Sequence, residues 1–252
     1  MQTHLHYHCL SSTNSCMKDL VGKYSVEELQ HLFPPFFAIT ADQQEQGRGR
    51  QEKKWESETG KNLLISLLLY PRIGPSLQFD ICRYVSVAVA GLISELCPAS
   101  VVRIKWPNDV YIGNKKTAGI LIEHFIQGEN INYSIAGIGI NLNQTVFSLS
   151  LPNPTSVLSE TGKEQDPMLC MQNMINKMKD IEKQSPDKWR IAYDEYLYQK
   201  GVFARFIIPK VSADPLLLKI TGVDQTGLLQ LTDTNDRLFS CAFNEIIYCL
   251  NR

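Results

Sequence analysis

The sequence predicts an α+β fold: a mixed β-sheet packed with helices over residues 1–200, then a small all-β barrel over 201–252. Three observations carry this expectation. Several short apolar runs between residues 36 and 142 are bounded by polar turns and read as strands. Longer stretches, before and after them, place apolar residues at helical spacing. After Gly201 the texture changes to brief strands, "RFIIPK", "LLLKITGV", "LLQLTD", "RLFSCAF" and "EIIYCL", spaced by "SADP", "DQTG" and "TND" turns. A chain of 252 residues has room for one large domain and one small one, with the hinge near residue 200.

Each element has a local reason. His4, His6 and His8 would share one face of a first strand. With no acidic partner near them in sequence, an exposed edge strand is a better reading than a metal site, because the spacing alone is a weak metal signal. Ser12, Thr13 and Asn14 are all good N-cap types and announce a helix. Ser25 and Glu28 form a capping box for a second helix, which Pro34 and Pro35 end. "FFAIT" (36–40) reads as a strand, 41–61 as a polar loop and 62–70 as a buried strand. A stripe running from Leu77 through Ile81, Val85, Ala88 and Leu92 to Leu96 predicts a helix over 76–96, closed before Pro98. Strands follow in "RIKWPNDVYI" (103–112), at 117–126 and at 132–142. Pro167 and Pro186 each sit where a helix begins, at 166–183 and 185–199, the second capped by Ser185.

Bulk properties exclude some functions. With 25 basic against 26 acidic residues, the chain is neither a bulk nucleic-acid binder nor a polyanion-wrapping surface. No apolar run reaches the length needed to cross a bilayer, and the first ten residues lack a signal-peptide pattern. Seven cysteines without a CxxC suggest neither a zinc site nor a disulfide framework, so reduced thiols in the cytoplasm are the simplest account.

Two stretches concentrate charge where geometry is constrained. In "RIKWPNDVYI" the entering strand alternates Arg103 and Lys105 with Val102 and Ile104. Pro107 removes a backbone donor and Asn108 and Asp109 are turn formers, so Lys105 is held at a rigid strand end. Taken alone, a strand lysine is usually just solvated. The second stretch, "QQEQGRGRQEKKWESETGKNLLIS" (43–66), crowds Arg48, Arg50, Lys53 and Lys54 beside Gly47 and Gly49. Such a loop repels itself and is expected to order around an anion, two arginines forking onto phosphate oxygens. An RNA contact is the weaker reading, since the chain offers no other basic face and no stacking aromatic beyond Trp55 there.

Three motifs in register, "GRGR…W.S..G.NL..S", "KWPND.Y….K.AGIL.E" and "GIGIN.N", resemble the catalytic domain of the biotin protein ligases over about residues 5–200. The resemblance implies the mixed sheet of that family, akin to class II aminoacyl-tRNA synthetases, and an SH3-like barrel at the C-terminus. Glu52 and Lys53 depart from the family's glycine and arginine in the loop, and the barrel's usual "GE" step is Asn244 and Glu245 here. The chain starts directly with the catalytic part, so no DNA-binding winged helix and no DNA binding are expected.

The resemblance implies ATP-dependent attachment of biotin to a lysine of a biotin carboxyl carrier domain through biotinyl-5′-AMP. Lys105 and Arg50 would be catalytic. Ser12, Thr13, Asn14, Gln44, Arg48, Gly49, Arg50 and Lys105 would bind biotin, and Arg48, Arg50, Lys53, Trp55 and Asn141 the nucleotide. Gly119, Gly137 and Gly139 would let the ligand approach the backbone. Mg²⁺ would neutralise the departing pyrophosphate, with no protein ligand for it identified. A membrane partner is not expected; a homodimer through a sheet edge is common in the family that the chain resembles, while the residues themselves do not define the oligomeric state. Read without the family, "STN" is a structural cap and Asn141 a strand-end turn former. A lipoate ligase shares the chemistry and is separated by which acid supports pyrophosphate release. A biotin-responsive transcription regulator would need a DNA-reading element.

Overall fold

The computed structural model describes residues 2–50 and 54–249. The larger sheet contains β1 (His4–Leu10), β2 (Phe37–Gln44), β3 (Leu63–Leu69), β4 (Val102–Lys105), β5 (Asp109–Ile112), β6 (Lys115–Gln127) and β7 (Asn130–Ile140). Their spatial order is β1-β2-β3-β7-β6-β5-β4. The β1–β2 pair is parallel and the other pairs are antiparallel, which makes the sheet mixed. The parallel pair needs a crossover, supplied by α1 (Thr13–Val21) and α2 (Val26–Leu32).

Helices cover both faces of the sheet. Met17 and Val21 of α1 pack with Phe37, Ile39, Leu68 and Ile135 on one face. On the other, α3 (Phe79–Leu96), α5 (Pro167–Glu182) and α6 (Pro186–Tyr196) close the main core over Leu63, Ile65 and Leu67. Both faces of β3 are therefore buried, which is why "LLISLLL" is continuous rather than alternating. A second antiparallel sheet contains β8 (Phe203–Ile207), β9 (Leu216–Val223), β10 (Leu229–Thr232), β11 (Leu238–Cys241) and β12 (Ile247–Tyr248), ordered β11-β10-β9-β8-β12. Its inner residues Phe206, Leu218, Ile220 and Leu231 join the same apolar cluster as α3.

Charged and polar groups fasten the two sheets together. Asp80 and Arg83 are fully buried, with Arg83 Nη1 2.5 Å from Asp80 Oδ1. Arg190 of α6 reaches the same carboxylate at 2.6 Å. The other arm of Arg83 donates to the carbonyls of Val223 (3.1 Å) and Asp224. Trp106 Nε1 donates to the Gly227 carbonyl at 3.0 Å, and Tyr193 to the Pro107 carbonyl at 2.9 Å. The 106–108 turn is thus gripped from α6 and from the second sheet.

Several local expectations need correction. β2 runs on to Gln44 instead of stopping at residue 40, because its polar end pairs in parallel with β1, Leu10 opposite Gln44. Tertiary pairing decides there, not side-chain type. Ser12 and Ser185 stand at N-cap positions but make no side-chain cap bonds; Asp166 caps α5 by accepting from the Met168 and Leu169 amides. A short helix, α4 (Val157–Thr161), capped by Ser156 and closed by Gly162, lies where the sequence reading expects none. The segment Pro75–Leu96, 22 residues, is long and apolar enough to cross a membrane by length and composition, contrary to the sequence reading. Two-thirds of that window is buried inside the fold, where a core helix needs the same apolar surface.

β1 does lie at a sheet edge, as expected. An acidic partner nevertheless comes from β2: Asp42 is 3.3 Å from His6 Nε2 and 3.1 Å from His8 Nδ1. Among the described residues no group of three or more His, Cys, Asp or Glu side chains is arranged to hold a metal ion. All seven cysteines are free thiols.

Replacing Asp80 leaves Arg83 charged, buried and unpaired. Asp80→Ala should therefore lower the unfolding free energy by about 3–5 kcal/mol. Urea denaturation followed by circular dichroism measures this, and a loss under ~1 kcal/mol would show that Arg83 is satisfied by the carbonyls alone.

Candidate active site

Strand register builds the floor of a cleft on the α1 face of the large sheet. Ser66, Gly137 and Leu121 stand in one row across β3, β7 and β6. The neighbouring row runs Gly139, Gly119, Asp109 and Lys105 across β7, β6, β5 and β4. Residues two apart on a strand face the same way, so both rows open to the same side. The apolar packing under α1 ends at Leu68 and Ile135, and polar groups and glycines take over beyond it. The resulting cleft has a volume of about 820 Å³.

One end of this cleft is lined by polar, uncharged side chains, one of them hydrogen-bonded to the Glu123 carboxylate. Ser12, Thr13, Asn14 and Ser66 are buried there. The Gln44 Oε1 accepts from the Thr13 amide at 2.7 Å and from the Thr13 hydroxyl at 3.0 Å. Ser66 Oγ lies between Thr13 Oγ1 (2.8 Å) and Asn14 Oδ1 (2.5 Å). Asn14 Nδ2 donates to Glu123 at 2.9 Å. Thr13 and Asn14 are in the first turn of α1 but are fixed by β2, β3 and β6, so their side chains serve the cleft and not the helix end. A β-carbon at position 137 would collide with the Asn14 side-chain oxygen, so only glycine admits this arrangement.

The other end is cationic. Among the described residues, Arg48, Arg50, Lys54, Lys105 and Lys116 line the cleft against Glu56 and Asp109. Arg48 and Lys54 form an antiparallel bridge, and the Trp55 amide donates to the Gly47 carbonyl at 2.9 Å, folding the basic segment back over the floor. Arg48 lies 3.4 Å from Glu123, which ties the segment to the polar end through Asn14. Lys116 pairs with Asp109 at 2.6 Å. Lys105 Nζ stands 4.8 Å from the Tyr248 ring centroid and 5.5 Å from that of Tyr111. Burial holds both phenols above the usual tyrosine range, so the rings facing Lys105 stay neutral. Beneath the turn, burial pushes the Cys82 thiol up to about 11, and its Sγ donates to the Pro107 carbonyl at 3.3 Å.

Trp55 lies across the glycines of the second row. A β-carbon on Gly139 would strike its indole, and Lys116 Nζ is 5.7 Å from its ring. The Trp55 Nε1 is buried with no hydrogen-bond partner among the described residues. Asn141 follows β7 and holds the wall: its Nδ2 donates to the Thr155 carbonyl at 3.0 Å. Its Oδ1 is buried and without a partner among the described residues, so the side chain combines a structural bond with an open acceptor.

The cleft thus brings together Ser12, Thr13, Asn14, Gln44, Arg48, Gly49, Arg50, Trp55, Lys105 and Asn141 from four separate stretches. Lys53 lies outside the described residues. Sequence reasoning assigned no site role to Ser66, Asp109, Lys116 or Glu123, although all four fall inside the quoted motifs; Asp109, read as a turn former, opens strand β5. It also missed Phe243, Ile246 and Tyr248, which wall the cationic end from the second sheet. No local signal marks these, because their proximity is created by the docking of the two sheets.

A sheet-backed cleft with a neutral hydrogen-bonding end and a cationic end suits an acid with a polar head, placed beside a polyanion. The sequence profile of the biotin/lipoate A/B protein ligase family matches residues 9–141, and the chain belongs to that family. It is 30% identical over 247 residues to the bifunctional ligase/repressor BirA of Bacillus subtilis, covering 94% of this chain and 71% of that protein. It is 33% identical over 134 residues to the biotin–[acetyl-CoA-carboxylase] ligase of Paracoccus denitrificans, covering 51% of this chain and 55% of the relative. The fold is that of a biotin protein ligase from Aquifex aeolicus solved with biotin and ATP, with a TM-score of 0.71 at 22% identity over 98% of both chains.

Gly139→Ala should displace the indole from the floor. A red shift of tryptophan emission with stronger iodide quenching is the expected result, and an unchanged spectrum would mean that Trp55 does not rest on this strand.

Proposed function

We propose that this chain is a biotin–protein ligase, which activates biotin with MgATP as biotinyl-5′-AMP and transfers the biotinyl group to a lysine of a biotin carboxyl carrier domain. The observation that carries the choice of acid is the network of uncharged side chains formed by buried Thr13, Asn14 and Ser66 with half-buried Gln44. A ureido ring offers both N–H donors and a carbonyl acceptor to such groups; the dithiolane of lipoate offers none. A ligand without these atoms would leave buried polar groups unmade, at about 1–3 kcal/mol each. Ser12 lies beside the same network.

In the first step a biotin carboxylate oxygen attacks the α-phosphorus, a new P–O bond forms, and the bond to the β-phosphate breaks as pyrophosphate leaves. An anion must approach a polyanion. At 4 Å two unit charges repel by ~1 kcal/mol in water and by ~4 kcal/mol at an effective dielectric of ~20. Lys105, Arg50 and Arg48 offset that repulsion in our reading, with Gly49 giving backbone room and Lys116 adding a fourth cation from β6. Trp55 and Asn141 face the nucleotide. Mg²⁺ would arrive on the ATP phosphates and neutralise the departing pyrophosphate. In the second step the neutral ε-amine of the carrier lysine attacks the acyl carbon, the C–N bond forms, AMP departs with the electron pair of the C–O bond, and the amine loses a proton. Free thiols throughout the chain support a reducing, cytoplasmic setting.

Biotin-dependent exchange of pyrophosphate into ATP tests the reading, and mass spectrometry of the protein with biotin and ATP should show biotinyl-AMP. Exchange supported by lipoate and not by biotin would assign the alternative acid. Lys105→Ala should lower the exchange rate by on the order of 10²–10³ and weaken biotin binding far less. Near-normal exchange would remove Lys105 from the chemistry.

Replacing Arg48 and Arg50 together with alanine tests a further expectation, that the basic segment shields the mixed anhydride from water. The double variant should form adenylate slowly and release it. Streptavidin blots of a cell extract should then show biotin on many proteins, whereas the parent labels a carrier. Carrier-only labelling by a still active double variant would refute the shielding role.

A further inference from the structure

We infer that Phe243 is a positioning residue for Arg50, so that the second sheet sets the geometry of the cationic end; the inference rests on the ligase reading above. Arg50 Cζ lies 4.1 Å from the Phe243 ring centroid, well inside the ~6 Å at which an aromatic face attracts a cation. The ring cannot swing away freely. It packs against the buried Trp106, centroids 6.0 Å apart, and Trp106 is itself tied to the Gly227 carbonyl. Tyr248 repeats the arrangement 4.8 Å from Lys105, with its own ring set edge-on to Phe206 at 5.0 Å.

The chemistry of the seat matters. Arg48 and Lys116 are paired with carboxylates, Glu123 and Asp109, which cancel part of their charge. An aromatic face orients a guanidinium through its quadrupole and adds no negative charge, so Arg50 keeps its full charge and its N–H groups for an incoming phosphate. Phe243 therefore acts through Arg50 and touches no reacting atom. It lies outside residues 9–141, where the family profile matches.

Phe243→Leu keeps apolar bulk and removes the π face; Phe243→Tyr keeps the face. In biotin-dependent ATP–pyrophosphate exchange, the leucine variant should raise KM for ATP about five-fold, the size of one exposed cation–π contact, with a smaller change in KM for biotin. The tyrosine variant should restore the parental KM. Combined with Arg50→Ala, Phe243→Leu should cause no further loss, because the group it positions is gone. An additional five-fold loss in the combined variant would overturn the inference. A readout without substrates is trypsin cleavage after Arg50, identified by mass spectrometry, which Phe243→Leu should accelerate several-fold; equal rates would also overturn it. If the parent shows no biotin-dependent exchange, the ligase reading fails, and cleavage alone decides whether Phe243 seats Arg50. Should the leucine variant lose the fold, Phe243→Met is used in the same assays.

Discussion

The buried carboxylate of Asp80 is the constraint on which the rest of the molecule is arranged. An ion taken out of water costs several kcal/mol unless its partners are placed with good geometry. Here they come from two helices, Arg83 on α3 itself and Arg190 on α6, and Arg83 carries the constraint onward to the carbonyls of Val223 and Asp224. That fixes the turn ending at Gly227, which in turn receives the Trp106 indole. Lys105 precedes Trp106 directly, so the position of a cleft cation is set by an ion pair at the opposite side of the sheet. The polar network is specific where the surrounding apolar contacts are only adhesive.

Much of the fold was legible because its signals are local. The capping box at Ser25 and Glu28 formed as read, both hydrogen bonds present. "KWPND" made a strand end with a turn because proline acts on its own backbone, while the Asn108 side chain donates across to the Ile120 carbonyl. The cap-type residues at 12–14 marked a real helix start, but for a different reason: Ser12 makes no side-chain cap bond, and Thr13 and Asn14 turn toward β2, β3 and β6. What stayed hidden depends on pairs far apart in sequence. Asp42 beside His6 and His8, and Gln44 beside Thr13, exist only because β1 and β2 run parallel. Phe243 and Tyr248 reach the cleft only because two sheets share a core, a relation with no period or spacing to betray it.

The two ends of the cleft rely on different physics and need different degrees of precision. At the neutral end, Thr13, Asn14, Gln44 and Ser66 hydrogen-bond to one another, and a buried polar group that loses its partner costs more than a made bond gains. Such recognition requires atoms placed to within tenths of an ångström, and strands and a helix terminus supply them. At the cationic end the field of several charges falls off slowly, so part of it can be carried by a loop. The glycines of β6 and β7 serve both, because they lower the floor enough for a flat group to lie on the backbone.

The sharing of the cleft between distant parts of the chain also orders events in time. Ribosomes extend a polypeptide at ~5–20 residues per second, N-terminus first, and domains tend to fold as they emerge. The seven-stranded sheet is complete in sequence by residue 140, but Phe243 and Tyr248 follow several seconds later. For that interval a nascent chain has the strands and the basic segment without the wall that faces Arg50 and Lys105. A reactive acyl adenylate made then would be poorly enclosed, with other nascent chains close by. Because that wall comes from residues 243–248, about a hundred positions after β7 ends, the site is not enclosed until both parts of the chain have emerged.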